Sequence, residues 1–83
     1  MTNIESIYEI KTAVLDLRRY ASSNNEYVSN KVKVKYQKLL DRFFRENESL
    51  VTPQQRRSCL YDVGYFLILM DEAVEQYYLE SAG

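Results

Sequence analysis

Hydrophobic positions recur along this chain with the spacing of an α-helix. An apolar stripe opens the sequence at intervals of three and four residues, formed by Ile7, Ile10, Val14, Leu17 and Ala21. Such a stripe lies on one side of a helix. Thr2 and Glu5 have capping-box spacing ahead of it, and the polar run 22–25 interrupts the pattern. The first helix is therefore predicted over about residues 3–22.

A second helix is predicted over about residues 24–47. Ser23 and Glu26 have capping-box spacing at its start. Its apolar positions are Tyr27, Val28, Val32, Tyr36, Leu39, Leu40, Phe43 and Phe44. Residues 31–36 alternate lysine with valine or tyrosine, a pattern that also suits an edge strand. A helix is preferred because no second strand candidate exists to pair with this segment, but the pattern alone leaves both open.

A third helix is predicted over about residues 53–80. Thr52 and Gln55 form a capping box, with Pro53 at the first helical position. Residues 60–70 are almost all apolar, so this helix is expected to be buried on more than one side. Gly64 lies inside the predicted helix, which indicates either a close approach of another backbone or flat ligand, or simple tolerance. The short connections predict a single all-α domain over residues 1–83, an antiparallel three-helix unit.

Composition excludes most catalytic chemistry. The chain has no histidine and one cysteine among 83 residues, so it lacks the usual general base and the usual clusters of metal ligands. We therefore expect no enzymatic activity and no metal site. No apolar run reaches the length of a membrane span, and the first residues do not resemble a signal peptide. The single cysteine favours a reducing compartment such as the cytoplasm.

Charge is strongly segregated although the net charge is only −1. Residues 31–57 hold eight basic and three acidic side chains, and residues 59–83 hold five acidic and no basic ones. The preferred interpretation is that the two segments neutralise each other side by side, or that copies of the chain stack head to tail. Nucleic-acid binding is not expected, because it requires an excess of positive charge over the domain.

One helical face carries the only constellation that suggests a ligand. Arg56, Cys59 and Asp62 are spaced by three, and Phe66 continues the same face. A cation, a thiol and an anion in a row suit an open-chain tetrapyrrole (a bilin), whose propionates pair with arginine and whose pyrrole N–H groups bond to a carboxylate. The simpler interpretation is a core cysteine that behaves as a small hydrophobe, with the two charged residues solvated.

Two segments resemble phycobiliproteins, the globin-like light-harvesting subunits of phycobilisomes. Residues 59–67, CLYDVGYFL, are similar to the chromophore-bearing helix of that family, with its Cys-x-Arg-Asp start. Residues 44–53, FRENESLVTP, resemble the stretch that precedes it. The resemblance covers residues 26–67 and, less closely, 4–22. The chain departs from the family at Tyr61 and Ile68, where the family has arginines, and at Glu48, where it has proline.

The resemblance implies a shortened relative with part of a globin-like fold and a role in photosynthetic light harvesting. Cys59 would carry a bilin by a thioether bond, and Asp62 would bind the pyrrole nitrogens. The full set of expected cofactor-binding residues is Cys59, Asp62, Arg56, Arg57, Tyr65 and Phe66. A truncated relative would bind the pigment or associate with phycobilisome components, and dimerisation would restore its missing half.

The alternative hypothesis is a small helical protein-interaction or regulatory module without a ligand. Adaptors, phage-type inhibitors and immunity proteins are of this kind. The small size, the apolar central helix, the eight tyrosines and the segregated charge all support it, since tyrosine is favoured at interfaces. Three helices of this length are expected to leave apolar surface exposed in a monomer. The expected partner is therefore a second copy, in a homodimer or larger homo-oligomer, or another helical protein.

Overall fold

A computed structural model describes residues 4–21 and 26–82, with the side chains of residues 4–19 and 30–80. Four helices make up these ranges: α1 (Ile4–Ala21), α2 (Glu26–Glu46), α3 (Pro53–Tyr61) and α4 (Val63–Ala82). No strand occurs within them, so the all-α prediction is confirmed. Residues 31–36 lie inside α2, and the helical interpretation of their alternating pattern is correct.

Consecutive helices run in opposite directions. The Ser6 hydroxyl at the start of α1 donates to the Glu46 carboxylate at the end of α2 over 2.5 Å. One turn further along α1, Glu9 pairs with Arg42 of α2 at 3.0 Å. These contacts hold α1 and α2 antiparallel. Helix α4 is antiparallel to α1, because Lys11 pairs with Asp71 at 2.5 Å while Tyr8 hydrogen-bonds with Tyr78. The bundle measures 48 × 22 × 19 Å.

The predicted third helix is divided in two, which corrects the expectation of one continuous helix over residues 53–80. Asp62 adopts an extended backbone with φ −143° and ψ 95° between α3 and α4. Helix α3 runs back along α2, since Arg56 binds Asp41 and Tyr36 binds the Cys59 carbonyl. Helix α4 then reverses, so that Leu69 lies near Gln55. A straight helix over these residues would carry its C-terminal half away from the bundle.

The observed helix ends match their sequence signals where the structure describes them. The Thr52 hydroxyl accepts from the Gln55 backbone N–H at 3.2 Å, and the Gln55 side chain accepts from the Thr52 N–H at 2.9 Å. This is the predicted capping box. Asn47 follows α2, and its side-chain amide donates to the Phe43 carbonyl at 2.8 Å. The predicted capping residues Thr2 and Ser23 lie outside the described residues.

The core is formed by the inward faces of all four helices. Its buried apolar members are Ile7, Ile10, Val14, Tyr36, Leu40, Phe43, Cys59, Phe66, Leu69, Met70 and Ala73. The three α1 members belong to the predicted stripe of that helix. The α4 members recur at spacings of three and four residues, which gives α4 one inward face. Side chains on its other face are exposed, including Ile68 and Leu79, so α4 is less deeply buried than its composition predicts.

Phe66 is the centre of an aromatic cluster. Its ring meets Phe43 at 5.3 Å and Tyr36 at 5.9 Å between centroids, both edge to face, and meets Phe44 at 6.5 Å. Edge-to-face ring pairs are favourable beyond the area that they bury. Because Phe66 is fully buried and its partners belong to α2, this cluster joins the two helices across the middle of the bundle.

We expect Phe66→Ala to lower the free energy of unfolding by about 3–5 kcal/mol, through lost burial and the cavity left behind. That loss approaches the whole stability of many small domains. Urea unfolding followed by circular dichroism measures it. Tyr61→Ala is the matched control, because Tyr61 is 89% exposed, and it should change stability by less than about 0.5 kcal/mol. Equal losses in both variants would contradict this assignment of the core.

Candidate functional site

Cys59 points into the core and not towards solvent. Its side chain is fully buried near the end of α3. Burial, followed by the nearby negative charge of Asp62, raises the pKa of the Cys59 thiol to about 11. The thiolate is the nucleophilic form of cysteine, so burial and the raised pKa both lower the reactivity of this thiol in the folded chain. The simpler interpretation, a cysteine that acts as a small hydrophobe, fits this environment.

Asp62 serves the backbone of α4. Its carboxylate oxygen Oδ1 accepts from the Tyr65 backbone N–H at 3.0 Å, which satisfies one of the unpaired donors at the start of the helix. The Asp62 carbonyl accepts from the Phe66 N–H at 3.2 Å. Because Asp62 lies between the helices, it does not continue the face of α3 that bears Cys59. Its chemistry is that of an N-terminal helix cap.

Gly64 belongs to the first turn of α4 and not to a helix interior. An added Cβ would lie 3.3 Å from Asp62 Oδ1. Among the described residues, its close neighbour is therefore the capping carboxylate and not a second backbone, which was one interpretation of the sequence. This position is exposed. A side chain here would require the Asp62 carboxylate to move by a few tenths of an ångström, so glycine favours the cap.

The remaining predicted ligand residues point in different directions. Arg56 forms an ion pair with Asp41 of α2, and Arg57 is exposed on α3. Tyr65 is half-buried, while Phe66 lies in the aromatic core. The structure therefore brings Cys59 and Phe66 together in the core, and it leaves the arginines and Asp62 outside. The six residues do not converge on one cavity.

An apolar groove lies beside this segment, between α1, α2 and the α3–α4 corner. Its volume is about 350 Å³, and its lining is Val14, Leu17, Arg18, Asn30, Val32, Lys33, Tyr36, Leu60, Tyr61 and Val63. None of the six predicted residues is among them. The sequence assigned Val14 and Tyr36 to apolar stripes, but it could not show that these stripes border an open groove, because that depends on how the helices are spaced.

Tyr36 is a buried residue whose role the sequence did not reveal. Its hydroxyl donates to the Cys59 backbone carbonyl, one of the carbonyls left without a helical partner at the end of α3. The Asp62 N–H donates to the same oxygen at 3.4 Å. Burial raises the pKa of Tyr36, with a further contribution from Cys59. Tyr36 therefore stabilises the end of α3 from the neighbouring helix.

Exposed apolar side chains collect where α1 and α4 meet. We call this surface the α1–α4 face and define it by Tyr8, Leu15, Ile68 and Tyr78, which are 43–57% exposed. Leu15 follows Lys11 by one helical turn, and Ile68 precedes Asp71 by one turn on the antiparallel α4. Both therefore lie on the same side of the Lys11–Asp71 pair. Tyr8 and Tyr78 lie on the other side of that ion pair. The hydrogen bond between them raises the pKa of Tyr8.

The segregated charges do not neutralise each other within the described part of the chain. The ion pairs found there join α1 to α4, α1 to α2, two residues of α2, and α2 to α3. None joins α2 to α4. Helices α2 and α4 each lie beside α1 and α3 and meet each other through the Phe66 cluster in the core, so they occupy opposite corners of the bundle. The predicted side-by-side pairing of the two segments is not observed.

Two kinds of feature are absent from the described residues. Within residues 4–21 and 26–82, no group of three or more Cys, Asp or Glu side chains is arranged to hold a metal ion. In the same ranges, no helix combines the length and the apolar character needed to cross a bilayer.

Comparisons with protein-family models, with curated proteins and with solved structures find no match for this chain. The resemblance to phycobiliproteins therefore rests on the sequence motifs alone, and it stays a prediction.

Cys59 should react slowly with a thiol reagent such as Ellman's reagent in the folded protein. A pKa of about 11 in place of the ordinary value of 9.0 lowers the thiolate fraction near neutral pH by about 100-fold. The matched control is Ser58→Cys in a Cys59→Ala background, which moves the thiol to an exposed neighbouring position on α3. The control should react at the rate of an unfolded thiol. Equally fast labelling of native Cys59 would contradict its burial.

Asp62→Ala should lower the free energy of unfolding by about 1 kcal/mol, because α4 loses its cap. Asp62→Asn keeps an oxygen acceptor and should remain within about 0.5 kcal/mol of the wild type. Urea unfolding of both variants separates the hydrogen bond from the charge. Equal stability of Asp62→Ala and the wild type would show that this carboxylate has no capping role.

Proposed function

We propose that this protein is a non-enzymatic helical interaction module that binds other proteins through its α1–α4 face. The main observation in support is a group of exposed apolar side chains on one surface, namely Tyr8, Leu15, Ile68 and Tyr78. Contiguous apolar patches on small folded proteins mark interaction sites. Tyrosine is well suited to the role, because its ring buries apolar area while its hydroxyl keeps a hydrogen bond.

The arrangement of this face supports the proposal. The Lys11–Asp71 pair spans α1 and α4 between the two apolar ends of the patch, and it fixes the two helices relative to each other. Such a face offers a partner two apolar contact areas with a charged pair between them. Protein interfaces combine apolar anchors with polar contacts in this manner. The proposed partners are proteins, and the segregated charges give each side of the bundle a different electrostatic character.

The surroundings of Cys59, Asp62 and Arg56 support an interaction role better than a pigment-binding one. In the tetrapyrrole hypothesis Cys59 supplies an accessible thiolate, Asp62 binds the pyrrole nitrogens and Arg56 binds a propionate. In the folded chain the thiol is buried and protonated, Asp62 caps α4, and Arg56 is paired with Asp41. The tetrapyrrole hypothesis stays the alternative, on the strength of the motif in residues 59–67. It requires the α3–α4 corner to open and these residues to exchange their partners.

A reducing compartment is part of the proposal. The only cysteine is buried without a disulfide partner, and unpaired thiols persist where thioredoxin and glutathione keep them reduced. A protein partner is proposed in preference to a nucleic acid, because the net charge of −1 lacks the overall positive excess that nucleic-acid binding uses.

Leu15→Ser combined with Ile68→Ser should weaken partner binding and leave the fold intact, because both side chains are about half exposed. Loss of two apolar anchors is expected to weaken a complex at least about tenfold. Affinity capture from the source cells, with each captured protein purified and its binding re-measured, tests this. Tyr61→Ser is the matched control, since Tyr61 is exposed but lies outside the α1–α4 face. Equal binding by the double variant, or no bound protein at all, would contradict the proposal.

A further inference from the structure

The groove between α1, α2 and the α3–α4 corner has an apolar floor and a polar rim. Val14 and Tyr36 form its floor, and they are only 1% and 9% exposed. The half-buried apolar side chains of its walls are Leu17, Val32, Leu60 and Val63. A volume of about 350 Å³ lies at the lower end of the range of small-molecule sites, which are also mostly apolar with a few polar groups.

The charged side chains among the described residues that line this groove are both basic. Arg18 lies on α1 and Lys33 on α2, and both are exposed at the rim. Arg18 follows Val14 by four residues and Lys33 precedes Tyr36 by three, so each cation lies one helical turn from a floor residue of its own helix. The ion pairs found in the described part of the chain involve neither of them.

The acidic side chains near these cations in the sequence are directed elsewhere. Asp62 follows the lining residue Tyr61, but its carboxylate accepts from the Tyr65 N–H at 3.0 Å and caps α4. Asp16 is two residues from Arg18, which places it about 200° away around α1, where it borders a different cavity. The mouth of the groove therefore has a positive electrostatic character, although the chain as a whole has a net charge of −1.

The polar groups at the rim suit a carboxylate. The Arg18 guanidinium offers a planar pair of N–H donors that matches the two carboxylate oxygens, and the Lys33 ammonium adds a compact positive charge. Asn30 and Tyr61 also line the groove, and their amide and hydroxyl groups are further donors. An anionic head at the rim and an apolar chain over the floor would each meet groups of matching chemistry.

We propose that this groove binds a small molecule with an apolar chain and one carboxylate head group, the chemistry of a fatty acid. The chain lies against Val14 and Tyr36, and the carboxylate pairs with Arg18 and Lys33. The small volume favours such a ligand over a partner helix, which anchors through several apolar residues along its length. This inference goes beyond the proposed function and does not depend on it, because no lining residue belongs to the α1–α4 face.

Methyl resonances can locate the binding site. Titration of the wild-type chain with decanoate, followed by NMR at concentrations where decanoate is monomeric, should show saturable binding of one molecule per chain. The largest shifts should belong to the methyl groups of Val14, Val32 and Leu60. The Leu15 and Ile68 methyl groups of the α1–α4 face should not respond. No binding, or shifts centred on Leu15 and Ile68, would overturn the inference.

The head group tests the role of charge. Decanol and decyltrimethylammonium carry the same chain on a neutral and on a cationic head. Both should bind at least about tenfold more weakly than decanoate, because neither can pair with Arg18 and Lys33. Equal affinity for the three molecules would overturn the inference, since apolar contact alone would then explain binding. Tighter binding of decyl phosphate would overturn the choice of a carboxylate head.

Neutral substitutions identify the two cations. Arg18→Gln with Lys33→Gln should weaken decanoate binding at least about tenfold and leave decanol binding unchanged. Lys35→Gln with Arg45→Gln is the matched control, because it removes two exposed cations that do not line the groove. Equal effects of the two double variants would overturn the assignment. If the first variant loses its helical circular dichroism signal, Lys33→Gln alone replaces it and should weaken decanoate binding about threefold; an unchanged affinity would again overturn the assignment.

The two proposals fail separately. A chain that binds decanoate in the groove but captures no protein would refute only the role of the α1–α4 face. A chain that captures a protein through Leu15 and Ile68 but binds no decanoate would refute only the groove ligand. A captured protein that shifts the Val14 and Val32 methyl groups in place of those of Leu15 and Ile68 would overturn the choice of a small molecule as the occupant.

Discussion

The reversal of the chain at Asp62 determines the arrangement of the rest of this bundle. Because the backbone is extended at that residue, α3 lies against α2 while α4 turns back beside α1. Phe66, four residues after the corner, can then reach Tyr36 and Phe43 in the middle of the bundle. The reversal costs helical hydrogen bonds, but local partners replace several of them. The Asp62 carboxylate accepts from α4, and Tyr36 donates to the Cys59 carbonyl at the end of α3.

This corner also explains why Arg56, Cys59 and Asp62, which their spacing would align on one helix, do not share one face in the structure. A continuous helix would align Arg56, Cys59 and Asp62 on one face. The break assigns a different structural task to each of them: an ion pair with Asp41, burial in the core, and a helix cap. The residues that remain available to a partner lie elsewhere. They include the exposed apolar side chains of α1 and α4.

Much of the fold was predictable because its signals are local. The Thr52–Gln55 capping box and the stripe of α1 depend on residues close in sequence, and both are confirmed. The break was missed because residues 60–70 are almost all apolar and contain no proline, a pattern that favours one buried helix. Asp62 followed by Gly64 is a possible helix start, but the surrounding apolar residues favoured a continuous helix more strongly. The partners of Arg56 and Tyr36 were not predictable, since they belong to another helix and depend on how the helices pack.

The central claim is that this chain acts through its surface and not through chemistry at Cys59. The most direct measurement is co-expression with a bilin-producing pathway and phycobilin lyases, followed by a denaturing gel with zinc to reveal covalently bound pigment by its fluorescence. Cys59→Ala is the control. The account predicts no fluorescent band for either chain. A band in the wild type that disappears in Cys59→Ala would contradict it, because the buried thiol would then be a site of pigment attachment.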